Sequence, residues 1–174
     1  MPASMNPNQP LPQKKANQHN MQVADKLHGL VNTLQHANNG FKHIAERCQN
    51  RKTQTVVFGL ATETFQVYKE LASQMQVLKC KDSINHVLYN DCKTDIVNEQ
   101  QAPKIDDTDK VLDECTQIEK NLITEFRKLL NDSLISGDLR KLLQAQLNSF
   151  LYSFVKLKML RNYQSKTIDY GIIF

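Results

Sequence analysis

The sequence predicts an all-α protein, an antiparallel four-helix bundle with a short crossover helix between helices two and three. Three observations predict it. Apolar residues recur at steps of three and four through four long stretches, the spacing of one helix face. Glycine and proline number five each, and the prolines fall at Pro2, Pro7, Pro10, Pro12 and Pro103, so little inside those stretches would break a helix. The polar breaks after the first and third stretches are short, whereas the one after the second is long. The whole chain, 174 residues with 40% apolar and 23% charged, fits one domain with tails.

Residues 1–17 are polar and proline-dotted and are expected to be a disordered lead. Residues 18–164 form the bundle. Helix one is expected from Asn20 to Cys48, with Val23, Leu27, Leu30, Leu34, Ala37, Phe41, Ile44, Ala45 and Cys48 on its apolar face. Gln49 to Lys52 is polar and reads as a tight turn, which makes helix two antiparallel to helix one. Helix two is expected from Thr53 to Cys80. Its stripe is broad: Val57, Leu60, Ala61, Thr64, Phe65, Tyr68, Leu71, Ala72, Met75 and Leu78.

Ser83 follows Asp82 as a cap signal, and Ile84, Val87, Leu88, Cys92 and Ile96 give the crossover helix its apolar positions. Asn98 to Asp107 is a polar loop. Thr108 is the expected N-cap of helix three, which carries Leu112, Cys115, Ile118, Leu122, Phe126 and Leu129 to about Leu130. Helix four is expected from Asp138 to Tyr163, with Leu139, Leu143, Leu147, Phe150, Phe154 and Leu157 inward and Leu142, Leu151 and Leu160 beside them. Residues 165–174 form an apolar C-terminal tail. Its end, Ile168 to Phe174, is expected to dock on the bundle or to meet a partner.

Composition excludes several function classes. The net charge of +4 is too small to point to nucleic acid. The basic residues gathered on helix four (Arg140, Lys141, Lys156, Lys158, Arg161, Lys166) read as a solvated face, with an acidic or anionic partner as the alternative. No apolar run reaches the roughly 18 residues of a membrane span. The N-terminus lacks the apolar core of a signal peptide. An intracellular, cytoplasmic protein is therefore expected, with neither nucleic acid nor membrane as partner. Cys48, Cys80, Cys92 and Cys115 have no zinc spacing, and the two on helix faces, Cys48 and Cys115, read as reduced core residues.

Few polar residues fall within the apolar stripes. Asn38, Thr64, Glu119 and Gln146 come to mid-height when each helix is counted from its ends, so they are the candidate buried polar layer, with Glu119 hydrogen-bonded by one of the three neutral side chains. A di-iron bundle needs a Glu from two helices and Glu-x-x-His from the other two. No Glu-x-x-His occurs here. The nearest is Asp25-Lys26-Leu27-His28, and His28, His36, His43, Glu63 and Glu70 fall on outer faces. No catalytic or cofactor-binding residue, metal ligand or cofactor is therefore expected. Neither a Gly-rich phosphate loop nor a Ser/His/acid or Cys/His set is present.

The order and spacing of these segments resemble the ferritin-like family catalogued as domain of unknown function 2383. The likeness rests on residues 30–33 and 39–41 of helix one, 58–71 of helix two, 83–88 of the crossover, 111–120 of helix three, and 144–146 and 155–161 of helix four. The resemblance implies a ferritin-like bundle, a fold of one-crossover topology. In the family pattern helix one carries acids where this chain has Asn32, His36 and Asn38, and helix four a histidine where it has Ser153. Glu114 and Glu119 are retained. Two readings follow. The first is a binding or assembly module without catalysis, with a protein partner or a homo-oligomer. The alternative is a degenerate oxidoreductase or metal-binding protein, using iron held by Glu114, Glu119 and a histidine of helix one.

Overall fold

The computed structural model describes residues 12–80, 103–105 and 107–169. They form four helices: α1 (Pro12–Arg47), α2 (Arg51–Cys80), α3 (Thr108–Leu130) and α4 (Gly137–Asp169). Among the described residues there is no strand, only an isolated parallel bridge between Cys48 and Ile105. No helix among them is long and apolar enough to cross a membrane. Residues 1–11 of the expected lead, the expected crossover helix and residues 170–174 of the expected tail lie outside the described residues.

Cross-helix contacts fix the directions. Asn38 of α1 bonds to the Ala61 carbonyl of α2, and Gln54 to that of Ala45, so α1 and α2 are antiparallel. Arg47 meets Glu114, whereas Lys26 meets Asp132, so α3 also runs against α1. Glu63 bonds to Ser153 and Glu70 to Gln146, which sets α4 against α2. Every neighbouring pair is antiparallel and the parallel pairs are diagonal. α2 and α3 run the same way, so α2 ends and α3 begins at opposite ends of the bundle.

Helix ends differ from the sequence reading in ways local chemistry explains. α1 starts at Pro12, so residues 12–17 are helical rather than part of a disordered lead. Proline suits a first helical position, and the Gln, Lys and Ala after it are good helix formers. α2 starts at Arg51, because the Asn50 side chain accepts the Lys52 and Thr53 amides at 3.0 and 3.1 Å and so caps the helix there. Asp107, not Thr108, is the N-cap of α3; its carboxylate accepts the Asp109 amide at 2.9 Å. α4 runs past Tyr163 to Asp169, so residues 165–169, expected in the tail, are helical.

The turn into α4 is held by side chains. Asp132 accepts the Leu134 amide at 3.0 Å, Ile135 is buried, and Gly137 takes φ 58°, a conformation glycine adopts without strain. Arg140, expected on a solvated face, instead turns its guanidinium back onto the Leu130, Asp132 and Ile135 carbonyls at 2.5, 2.9 and 2.8 Å. One of the three, the Leu130 carbonyl, is a carbonyl that the end of α3 leaves without an intrahelical partner.

The core follows the apolar stripes. All nine positions expected on the face of α1 are buried. Phe41, Phe126, Phe150 and Phe154 lie at its centre, with ring centroids 5.8–6.4 Å apart between successive contacts. On α2, Phe65 is exposed, with Lys42 and Lys69 over its ring, while Val67, absent from the expected stripe, is buried. The buried face of α2 is thus turned further toward α4 than the sequence reading placed it.

Candidate functional site

The polar interior at mid-bundle is smaller than four residues. Asn38 is buried, and its amide donates to the Ala61 carbonyl at 2.7 Å. Thr64 is fully buried, but its hydroxyl donates to the Leu60 carbonyl of its own helix at 2.6 Å. Serine and threonine inside helices commonly satisfy themselves in this way. Glu119 is 5% exposed. Gly40 of α1 packs against Ile118, which brings Asn38 close to the level of Glu119.

The partner of Glu119 is none of the three neutral side chains expected. Lys158 of α4 donates to its Oε1 at 2.8 Å. The lysine is 60% exposed at its side chain and the glutamate 6%, so the ammonium reaches in from the rim. The second carboxylate oxygen, Oε2, is buried with no hydrogen-bond partner.

Gln146 does not join this layer. It is half-buried and donates to Glu70 Oε2 at 2.7 Å on the α2–α4 seam. It lies twelve residues before Lys158 on one helix, about 18 Å along the axis at 1.5 Å per residue. Counting from helix ends placed it wrongly because α4 is both longer and offset by the turn at 131–136.

The α2–α4 seam holds Glu63 and Glu70. Glu63 accepts from Ser149 at 2.5 Å through one oxygen and from Ser153 at 2.7 Å through the other. Beside it is an open groove of about 330 Å³ with Val56, Gly59 and Leu60 on one side and Ser153 and Lys156 on the other. Glu114 meets Arg47 at 3.4 Å at the far end of the bundle. His28, His36 and His43 are exposed on the outer side of α1.

The residues present do not fit a ferritin-type metal pair. Such a site needs several carboxylates and imidazoles converging on one point. Here Glu119, Glu114, Glu63 and Glu70 are bound by Lys158, Arg47, two serines and Gln146 respectively, at separate places. Among the described residues, no three His, Cys, Asp or Glu side chains stand close enough to hold a metal ion.

Cys48 and Cys115 are free thiols in the core. Burial pushes the Cys115 thiol up to about 12, with the charges of Glu114, Cys48 and Glu119 adding to the shift. Burial likewise raises Cys48, partly offset by its contact with the Asn50 carbonyl. Thiols held protonated in this way are poor nucleophiles and poor ligands.

Sequence reasoning missed Lys158 as the counter-ion. Its signal was present, since it adjoins Leu157 at the edge of the α4 stripe and a buried acid calls for a cation. Pairing the two needed the α3–α4 register, which helical spacing does not supply. Compared with known proteins, the chain matches no family model and no curated protein.

Proposed function

We propose that this chain is a non-catalytic, ferritin-like helical bundle that acts through its surface, as a binding or assembly module in the cytoplasm. The observation that carries the reading is the Lys158–Glu119 pair. A lysine ammonium stands beside Glu119, the one deeply buried carboxylate among the described residues, where a metal site would set a cation. The charge a metal would neutralise is already neutralised by the chain itself. The all-helical bundle with antiparallel neighbours supports the ferritin-like part of the reading, and the buried free thiols accord with a reducing compartment.

Homo-dimerisation through a bundle face or through the tail from Ile168 is the concrete form of this function. Two measurements test it. The first is elemental analysis of the purified protein before and after anaerobic Fe(II) addition. No stoichiometric metal is expected in either sample, and one or two metals per chain, lost on Glu119→Gln, would overturn the reading in favour of a metal-binding protein. The second is the mass in solution with and without residues 168–174. The full chain is expected to be a dimer, and a change on truncation assigns the contact to the tail. A monomer in both forms ends the homo-dimer proposal.

A further inference from the structure

The face shared by α2 and α4 carries two lysines at one end and two glutamates further along. Lys52, Gly59, Glu63 and Glu70 follow one another at steps of seven, four and seven, which puts them in one line on α2. Glu63 reaches Ser149 and Ser153, and Glu70 reaches Gln146, so the line borders α4. Lys156 of α4 lines the same groove as Gly59 and Glu63. Among the described residues, neither lysine and neither glutamate stands in an ion pair. The hydrogen bonds to the two carboxylates come from neutral side chains, and Lys156 lies over the Tyr152 ring at 4.4 Å.

The order of these charges restricts what can cover them. At 1.5 Å per residue along α2, Lys52 is about 27 Å from Glu70 and about 16 Å from Glu63. Glu63 bonds to both Ser149 and Ser153, so it stands level with the middle of that turn of α4. Lys156 then lies about 7 Å from Glu63, toward Lys52. The order along the face is base, base, acid, acid. The lysines are about 9 Å apart in height and the glutamates about 10 Å. Turning the face end over end therefore brings each lysine onto a glutamate. The height midway between Lys52 and Glu70 is that of Ala61. The height midway between Lys156 and Glu63 lies about 4 Å before Glu63, at Leu60 or Ala61. One axis serves both pairs.

Gly59 lies about 3 Å from that height, on the outer side of α2. A Cβ there would touch nothing. A helix that is bare near a crossing point lets a second backbone come close.

On the basis of the homo-dimer proposed above, we infer that a second copy of this chain docks on the α2–α4 face. A two-fold axis crosses the helices at the height of Ala61 and lays α2 antiparallel on α2 of the copy. Lys52 meets Glu70 of the copy, Lys156 meets Glu63 of the copy, and the symmetry makes each pair twice. The parallel arrangement would set lysine on lysine and glutamate on glutamate. Charge order thus fixes both direction and register.

The experiment uses the full chain under reducing conditions. Zero-length carbodiimide coupling followed by peptide mapping is expected to join Lys52 to Glu70 in a species of twice the chain mass. At about 27 Å apart in one chain, these two residues can be joined only between copies. Lys52→Glu and Glu70→Lys change exposed positions. Each is expected to raise the dimer dissociation constant about tenfold or more in sedimentation, because two attractions become two repulsions. Lys52→Glu/Glu70→Lys together are expected to return it to the wild-type value, with helix content checked by circular dichroism. A dimer without the Lys52–Glu70 linkage, or one as tight in both single variants, overturns this interface and leaves the homo-dimer standing. A wild-type chain that stays monomeric at every concentration overturns both.

Discussion

Lys158 and Glu119 form an unequal pair, one partner mostly in water and the other in the core. Removing the lysine leaves a buried carboxylate with neither oxygen bonded, since Oε2 already lacks a partner. Removing the acid returns the lysine to solvent at little penalty. Lys158→Met is therefore expected to destabilise the bundle by about 1–3 kcal/mol, less than for a fully buried pair because the ammonium is accessible. Glu119→Gln should lie within about 1 kcal/mol of the wild type. Urea unfolding of both variants decides it: equal losses would mean that the pair does not hold the carboxylate in place. Asp132 adds a pH dependence. The Leu134 amide and the Lys26 ammonium depress its carboxyl below its ordinary value of 3.8. A depressed carboxyl stabilises the fold above its unfolded pKa, and that contribution is lost as pH falls through the folded value. Asp132→Asn should therefore lower stability at neutral pH and narrow its difference from the wild type as pH drops below about 4, as followed by thermal melts.

At the scale of the helix, glycines separate positions that only look alike in sequence. Gly59 faces open space beside the α2–α4 groove, and a Cβ there would touch nothing. Gly59→Ala should stabilise by roughly 0.5–1 kcal/mol through helix propensity alone. At Gly40 the new Cβ would stand 2.7 Å from Ile118 Cδ1, so that side chain must move and the gain should shrink or vanish. Gly137 has φ 58°, and alanine there should cost about 1 kcal/mol. Thermal melts of the three variants should rank them in that order. Element identity was legible because three-and-four spacing reports a buried face directly, as at Val23, Leu27, Leu30 and Leu34. Phe65 was misplaced because size and hydrophobicity do not say whether a ring at the edge of a broad stripe turns inward; two lysines cover it at the surface instead. Asn38 and Glu119 could be read as interior from their own helices. The separation of Gln146 from them could not, because relative height depends on how the turn at 131–136 offsets α4.

Across the whole molecule the seams are not equal. Among the four neighbouring seams, α1 and α2 make by far the most extensive contact, α1–α3 and α3–α4 come next, and α2–α4 makes the least. The α2–α4 seam is also where the groove lies and where polar pairs such as Glu63–Ser153 and Glu70–Gln146 replace apolar packing. Local opening draws on regions with few buried apolar contacts. The first subglobal opening should therefore part α4 from α2 while the α1–α2 hairpin stays closed. Hydrogen exchange read by peptide should show amides of α4 exchanging through a lower-energy opening than those around Leu34–Phe41 and Val57–Ala61. Gly59→Leu, which places a side chain into the groove without disturbing either hairpin, should slow that exchange in α4 and leave α1 unchanged. Uniform protection across all four helices would show instead that the bundle opens only as a unit, and that the thin α2–α4 seam is closed as firmly as the rest.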